Sequence, residues 1–229
     1  STVKAMVLAA GKGERMLPLT QDVPKPLLQA GDHSLIGHQL LRLASNGITE
    51  IVINHSWLGE QIEMALGDGS ELGVSIAWSR EEEPLETAGG IIKALPLLQG
   101  DVTRNSFISV NADIWTDYPY KKLPCLDDSN LLAWLVLVDN PPHHPEGDFV
   151  LSNDRVAESE GDQQRLTFSG ISVFHPDLFA GVEPGKQSVV PLLKQAMREG
   201  KVGGEYFQGR WIDIGTPERL QALDEMLSD

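Results

Sequence analysis

The chain has 229 residues, 41% of them hydrophobic and 22% charged, with 33 acidic against 18 basic side chains and a net charge of −15. This composition predicts a globular chain that buries its core in one domain, residues 1–229, and the acidic balance argues against nucleic acid and anionic membrane surfaces as partners. A single cysteine, Cys125, excludes an internal disulfide and reads as a buried structural residue; the lack of an apolar leader or long apolar span predicts a cytoplasmic location.

The first predicted element is an apolar strand, Lys4 to Ala10, which runs into Gly11-Lys12-Gly13-Glu14-Arg15-Met16. Glycines let backbone amides approach an anion, and Lys12 and Arg15 add positive charge. The stretch around Ala9, Gly11 and Gly13 therefore reads either as a phosphate cradle or as a tight structural turn; Met16 stands where a dinucleotide fingerprint needs its third glycine. Further on, Pro24 and Pro26 hold Lys25 in an extended loop, a second phosphate clamp or a solvated lysine. Leu-Ala-Ala-Gly-x-Gly-x-Arg-Met-x-Pro-Leu-Thr followed by Pro-Lys-Pro resembles the signature of the sugar-1-phosphate nucleotidylyltransferases. The resemblance implies a nucleoside triphosphate and a sugar 1-phosphate as substrates, Mg²⁺ as cofactor, and Arg15 and Lys25 as catalytic cations.

Apolar residues at helical spacing from Ser34 to Ala44, closed by Asn46-Gly47, predict a helix, and Glu50 to Asn54 a β-branched strand. A second helix follows from Leu58 to Leu66 and a strand from Val74 to Ser79. This alternation predicts an α/β protein with a Rossmann-like, mixed but mainly parallel sheet flanked by helices, and the resemblance implies the nucleotide-diphospho-sugar transferase fold. Asn54 and His55 end a parallel strand, where they either face a ligand or simply close the strand. Thr87-Ala88-Gly89-Gly90 opens a helix from Ile91 to Leu95 and resembles the family's nucleobase segment, usually Leu-Gly-Thr-Ala-Gly. Thr87 and Gly89 would then face base and ribose, while Glu86 stands in the place of the family's first glycine and either meets the ligand or points to solvent.

The apolar strand from Phe107 ends in Asn111-Ala112-Asp113. A carboxylate at such a strand tip suits a divalent cation against phosphate oxygens, so Asp113 is the first candidate metal ligand and Asn111 a nucleotide contact. An apolar run from Leu131 to Val138 exits into Asp139-Asn140-Pro141-Pro142-His143-His144-Pro145. Its adjacent histidines lack the spacing of a zinc site. A hairpin is predicted from Gly147 to Leu151, with Asn153 to Arg165 as its exposed turn, then a strand from Leu166 to Phe174 interrupted by Gly170. By the resemblance, Asp139, Asn140, Asp148 and Gly170 border the sugar. The family's Glu-Lys-Pro element, whose lysine clamps the sugar phosphate, is missing, because no lysine lies between Lys122 and Lys186.

A helix is predicted from Pro191 to Met197 and another from Glu218 to Leu227, the latter capped by Thr216-Pro217. Between them, Trp-x-Asp-x-Gly-Thr-Pro resembles the family's late motif, which implies that Asp213 joins Asp113 around the metal. The absence of hexapeptide repeats predicts no C-terminal β-helix. Within the family, Val-Ile-Asn-His-x-Trp-Leu-Gly, Glu-Pro-Leu-Glu-Thr and Asp-Asn-Pro-x-His-His are most similar to the branch that joins UTP to N-acetylmuramate 1-phosphate in peptidoglycan recycling. Expected partners are thus UTP and a sugar 1-phosphate, in a monomer or small homo-oligomer. The alternatives are a hexose-1-phosphate uridylyl- or thymidylyltransferase and an inactive nucleotide-sugar-binding protein; a nicotinamide dehydrogenase lacks its third glycine and its acidic partner.

Overall fold

A computed structural model describes residues 3–99 and 104–229. In chain order the elements are β1 (Lys4–Leu8), β2 (Gln29–Ala30), β3 (His33–Ser34), α1 (Leu35–Ser45), β4 (Glu50–His55), α2 (Gly59–Leu66), β5 (Ser75–Arg80), α3 (Glu86–Leu98), β6 (Phe107–Asn111) and β7 (Ile114–Thr116). After these come β8 (Ala133–Val138), β9 (Val150–Ser152), β10 (Arg155–Ala157), β11 (Thr167–Phe174), α4 (Val190–Arg198), β12 (Val202–Tyr206), β13 (Trp211–Asp213) and α5 (Pro217–Leu227). Among the described residues one sheet runs in the order β5-β4-β1-β6-β11-β8-β12-β10-β9, and β13 pairs with β7 beside it.

The half carrying the glycine loop is parallel throughout: β5 on β4, β4 on β1, β1 on β6. β11 then runs antiparallel between β6 and β8, which makes the sheet mixed. Alternation along β1 divides the core. Ala5 and Val7 join Ile36, Leu40 and Leu43 of α1 on one face, and Met6 joins Ile91 and Ala94 of α3 on the other. A third cluster holds Met16, Trp115, Ile214 and Leu223, so the residue at the missing third glycine is a fully buried anchor tying the loop after β1 to α5.

Ser34 caps α1 by accepting from Gly37 N–H at 3.0 Å, and Gly47 leaves the helix at φ +77°. Three expectations need correction. Helix α3 begins at Glu86, so Thr87 to Gly90 lie in its first turns rather than ahead of it. The hairpin turns at Asn153-Asp154, both with positive φ, because that pair supplies the left-handed residues of a two-residue turn; the acidic stretch to Arg165 lies beyond β10. Cys125 is exposed, not buried. Among the described residues no helix is long and apolar enough to cross a membrane.

Candidate active site

The parallel strands β1, β4 and β6 end at a cleft of about 780 Å³. Its floor is the loop after β1, where Ala9, Gly11, Lys12, Gly13 and Arg15 all line the space. Only Gly13 needs a glycine's backbone: its φ is +68°, and a Cβ there would lie 3.0 Å from Thr20 Cγ2 and 3.1 Å from Lys25 Cβ. A Cβ on Gly11 would meet nothing within 4 Å, so its bare backbone simply leaves room above the loop. Thr20 Oγ1 donates to Gly13 C=O at 2.7 Å, and Trp57 Nε1 donates to Thr20 C=O at 3.2 Å, which pins the loop from outside.

Lys25 enters from the proline-bounded turn with its side chain only 11% exposed, and its Nζ lies 2.9 Å from Asp113 Oδ2. The second aspartate arrives through β13. Asp213 pairs with Ile114, and Ile214 N–H donates to Asp113 C=O at 2.8 Å, so the two acids leave adjacent segments at the same end. Asp213 Oδ2 accepts from His143 Nε2 at 2.8 Å, its carbonyl accepts from Arg219 Nε at 2.8 Å, and Arg219 Nη2 is 3.6 Å from the same Oδ2. Arg15 reaches the same place, since its Nη2 would be 3.3 Å from a Cβ on Gly215. Cationic side chains from the loop after β1, from the turn at Lys25 and from α5 therefore converge on a pair of carboxylates in a chain that is otherwise strongly acidic.

The two aspartates offer hard oxygen donors, the set that suits Mg²⁺. Among the described residues no three His, Cys, Asp or Glu side chains converge as a metal cage. Asp113 is paired with Lys25 and Asp213 with His143.

Thr87 and Asn111 also line the cleft, as does Asn54, but the Asn54 side chain is already committed. Its Oδ1 accepts from Ala9 N–H at 2.8 Å and its Nδ2 donates to buried Glu81 at 2.8 Å, while the other Glu81 oxygen accepts from Leu85 N–H at 3.0 Å. Asn54 thus braces the glycine loop against the start of α3. Its neighbour His55 is buried outside the cleft against Glu63, whose carboxyl Arg80 holds below the usual carboxylate range.

Gly89 does not line the cleft. Its N–H donates to Gln187 C=O at 3.0 Å, and a Cβ would collide with Gly185 O, so this glycine serves backbone packing between α3 and the 185–187 loop. None of the four expected sugar residues lines this cleft either. Asp139 accepts from Tyr206 Oη; Asn140 accepts from Thr167 Oγ1 at 2.7 Å and donates to Arg165 C=O at 3.0 Å; Asp148 binds His144 Nε2 at 2.9 Å and Phe168 N–H at 2.8 Å. Gly170, at φ +84°, sits at a register shift of β11 against the Asn111 amide, 2.5 Å from a Cβ there. The polar groups of Asn140 and Asp148 are taken up by backbone and side-chain partners beside the cleft.

Sequence reading passed over Lys186, which lines the cleft from beyond α3, and His143 and Arg219, which hold Asp213. Glu86 lines the cleft too, and its φ of +60° explains the family glycine at that position. Left-handed backbone costs a non-glycine residue roughly 1–2 kcal/mol, less about 0.5–1 kcal/mol for glycine's extra unfolded-state freedom. Glu86→Gly is therefore expected to stabilise the protein by about 0.5–1 kcal/mol, read as a higher urea midpoint; a lower midpoint would mean that the carboxylate makes a stabilising contact.

A Gly-rich loop, a clamped lysine and the strand-end carboxylate of Asp113 line one cleft, with Asp213 on the strand paired beside them, and the family model described as nucleotidyl transferase matches residues 4–149. The chain belongs to this family and is a sugar-1-phosphate nucleotidyltransferase. It is 48% identical over 229 aligned positions to the N-acetylmuramate alpha-1-phosphate uridylyltransferase of Neisseria meningitidis serogroup B, covering 96% of each chain. It is 31% identical to the protein of the same name from Caulobacter vibrioides, covering 98% of this chain and 97% of that one. The inositol-1-phosphate CTP transferase of T. maritima shares the fold, with a TM-score of 0.77 at 22% identity over 99% of this chain and 95% of that one.

Proposed function

We propose that the protein transfers UMP from UTP to N-acetylmuramate 1-phosphate, giving UDP-N-acetylmuramate and pyrophosphate. The observation that carries this reading is the 48% identity, over nearly the whole of both chains, to the uridylyltransferase of that name. An oxygen of the sugar phosphate attacks the α-phosphorus of UTP in line, forming the new P–O bond as the bond to pyrophosphate breaks. The attacking oxygen is already anionic, so no side chain need remove a proton. The protein's work is positioning and charge neutralisation.

In this reading the loop from Ala9 to Gly13, with Lys12, cradles the triphosphate through backbone amides and one ammonium, and Arg15 and Lys25 meet the charge that grows on the departing pyrophosphate. Thr87, from α3, and Asn111, from the end of β6, face base and ribose. Asp113 and Asp213 would hold Mg²⁺, which when bound neutralises phosphate charge. Lys25 lines the same cleft as the glycine loop and is paired with Asp113 at 2.9 Å, which places its ammonium within the proposed triphosphate site.

Pyrophosphate release with Mg²⁺ and UTP, compared across N-acetylmuramate 1-phosphate, glucose 1-phosphate and N-acetylglucosamine 1-phosphate, tests the assignment. Turnover with the muramate compound at the highest kcat/KM is the expected result. A higher kcat/KM for either hexose phosphate would overturn the acceptor, and no release with any of them would overturn the reaction.

A further inference from the structure

The chain has no lysine between Lys122 and Lys186, and yet the acceptor's phosphate must be brought, with its charge, next to the triphosphate. The cations lining the cleft, Lys12, Arg15, Lys25 and Lys186, belong to the glycine loop, to the turn that follows it and to the loop packed on α3. One further donor, from outside the residues that line the cleft, reaches the second carboxylate, Asp213. His143, on the loop between β8 and β9, places Nε2 2.8 Å from Asp213 Oδ2 with its ring 35% exposed.

That loop is built to hold the ring there. Asn140 ties its start to Thr167 and Arg165, at 2.7 and 3.0 Å. Asp148 ties its end to His144 and to Phe168 N–H, at 2.9 and 2.8 Å. Between them Gly147 turns at φ +70°, where a Cβ would lie 2.7 Å from Asn140 Oδ1 and 2.9 Å from Arg165 O. Asn140 and Asp148, two of the residues that the family resemblance gives to the sugar, thus hold the two ends of the loop that carries His143.

We propose that His143 is a catalytic residue of this transferase: it donates Nε2–H to the phosphate of the acceptor sugar and stands in for the absent lysine. The inference rests on the acceptor being a sugar 1-phosphate, as set out above. In the structure the N–H is held on Asp213; when the acceptor arrives, its phosphate oxygen takes that hydrogen bond, and the braced loop keeps the ring in line for it. No new bond is made and no proton is transferred. The residue works by orientation and by one charge-assisted hydrogen bond.

The contribution of the phosphate alone can be read directly. With a non-hydrolysable UTP analogue and Mg²⁺ present, calorimetry gives the Kd of N-acetylmuramate 1-phosphate and, by competition, that of N-acetylmuramate. Their ratio is what the phosphate adds. In His143→Ala this ratio is expected to fall about tenfold, with the free sugar and the UTP analogue bound as before, and His143→Lys is expected to restore most of it. Equal weakening of both sugars would show that the ring only shapes the loop or meets the lactyl group. An unchanged ratio, or lost affinity for the UTP analogue, would likewise overturn the proposal. Should the wild-type protein bind a different sugar 1-phosphate instead, the acceptor reading falls while the same ratio, taken with that sugar and its phosphate, still decides on His143.

Discussion

Asp113→Asn is expected to lower kcat by about 10³-fold while leaving the fold intact, because removing one preorganised electrostatic partner of a developing charge typically costs 10²–10³ in rate. Asparagine keeps the shape of the strand tip and can still accept a hydrogen bond from Lys25, whose Nζ lies 2.9 Å from the native carboxylate. It loses the charge, and with it the ion pair to Lys25 and, in the proposed mechanism, one of the two carboxylates that would hold Mg²⁺. Initial rates across a Mg²⁺ titration check this: kcat should stay low at saturating metal. A loss that high Mg²⁺ fully recovers would limit Asp113 to metal affinity, and a loss under tenfold would remove it from the centre.

The largest stability effect is expected at Phe107, the first residue of the strand that carries Asn111 and Asp113. Its side chain is 0% exposed and meets Phe174 edge-on, with centroids 6.3 Å apart, and Phe179 in a stacked arrangement at 6.5 Å. Phe107→Ala removes this ring from the packing between the sheet and the turn after β11, and such truncations cost about 3–5 kcal/mol. For a chain of this size the melting temperature should fall by roughly 6–20 °C. Urea unfolding checks it, and a loss below about 1 kcal/mol would mean that the site collapses around the missing ring.

The parts of the site written in local spacing were legible in the sequence. The loop from Gly11 to Arg15, Lys25 between two prolines and Asp113 at a strand tip declare their chemistry within a few residues, and the cleft brings all of them together. Helix α1 was legible for the same reason, because Ser34 and Asn46-Gly47 mark both ends. What could not be read depends on partners far along the chain. Asn140 and Asp148 look free until Arg165, Thr167 and Phe168 arrive 20 or more residues later, and His143 meets Asp213 across 70 residues. Glu86 hid a different fact, since a single residue type does not reveal a positive φ. Gly89 misled because glycine serves two purposes alike, admitting a ligand or admitting another stretch of backbone.

The third hydrophobic cluster has a consequence for how activity comes into being. Met16 from the glycine loop, Trp115 from β7 and Leu223 from α5 are buried together, and Gly31 N–H donates to Asp224 across 193 residues. A nascent chain emerging from the ribosome can therefore lay down β1, β4 and β6 and still lack both the second aspartate and the helix that anchors the loop. Contacts of such long sequence separation form late, because the intervening chain must first lose its freedom. The anchoring of the glycine loop against Trp115 and Leu223 is therefore completed only after α5 has been made.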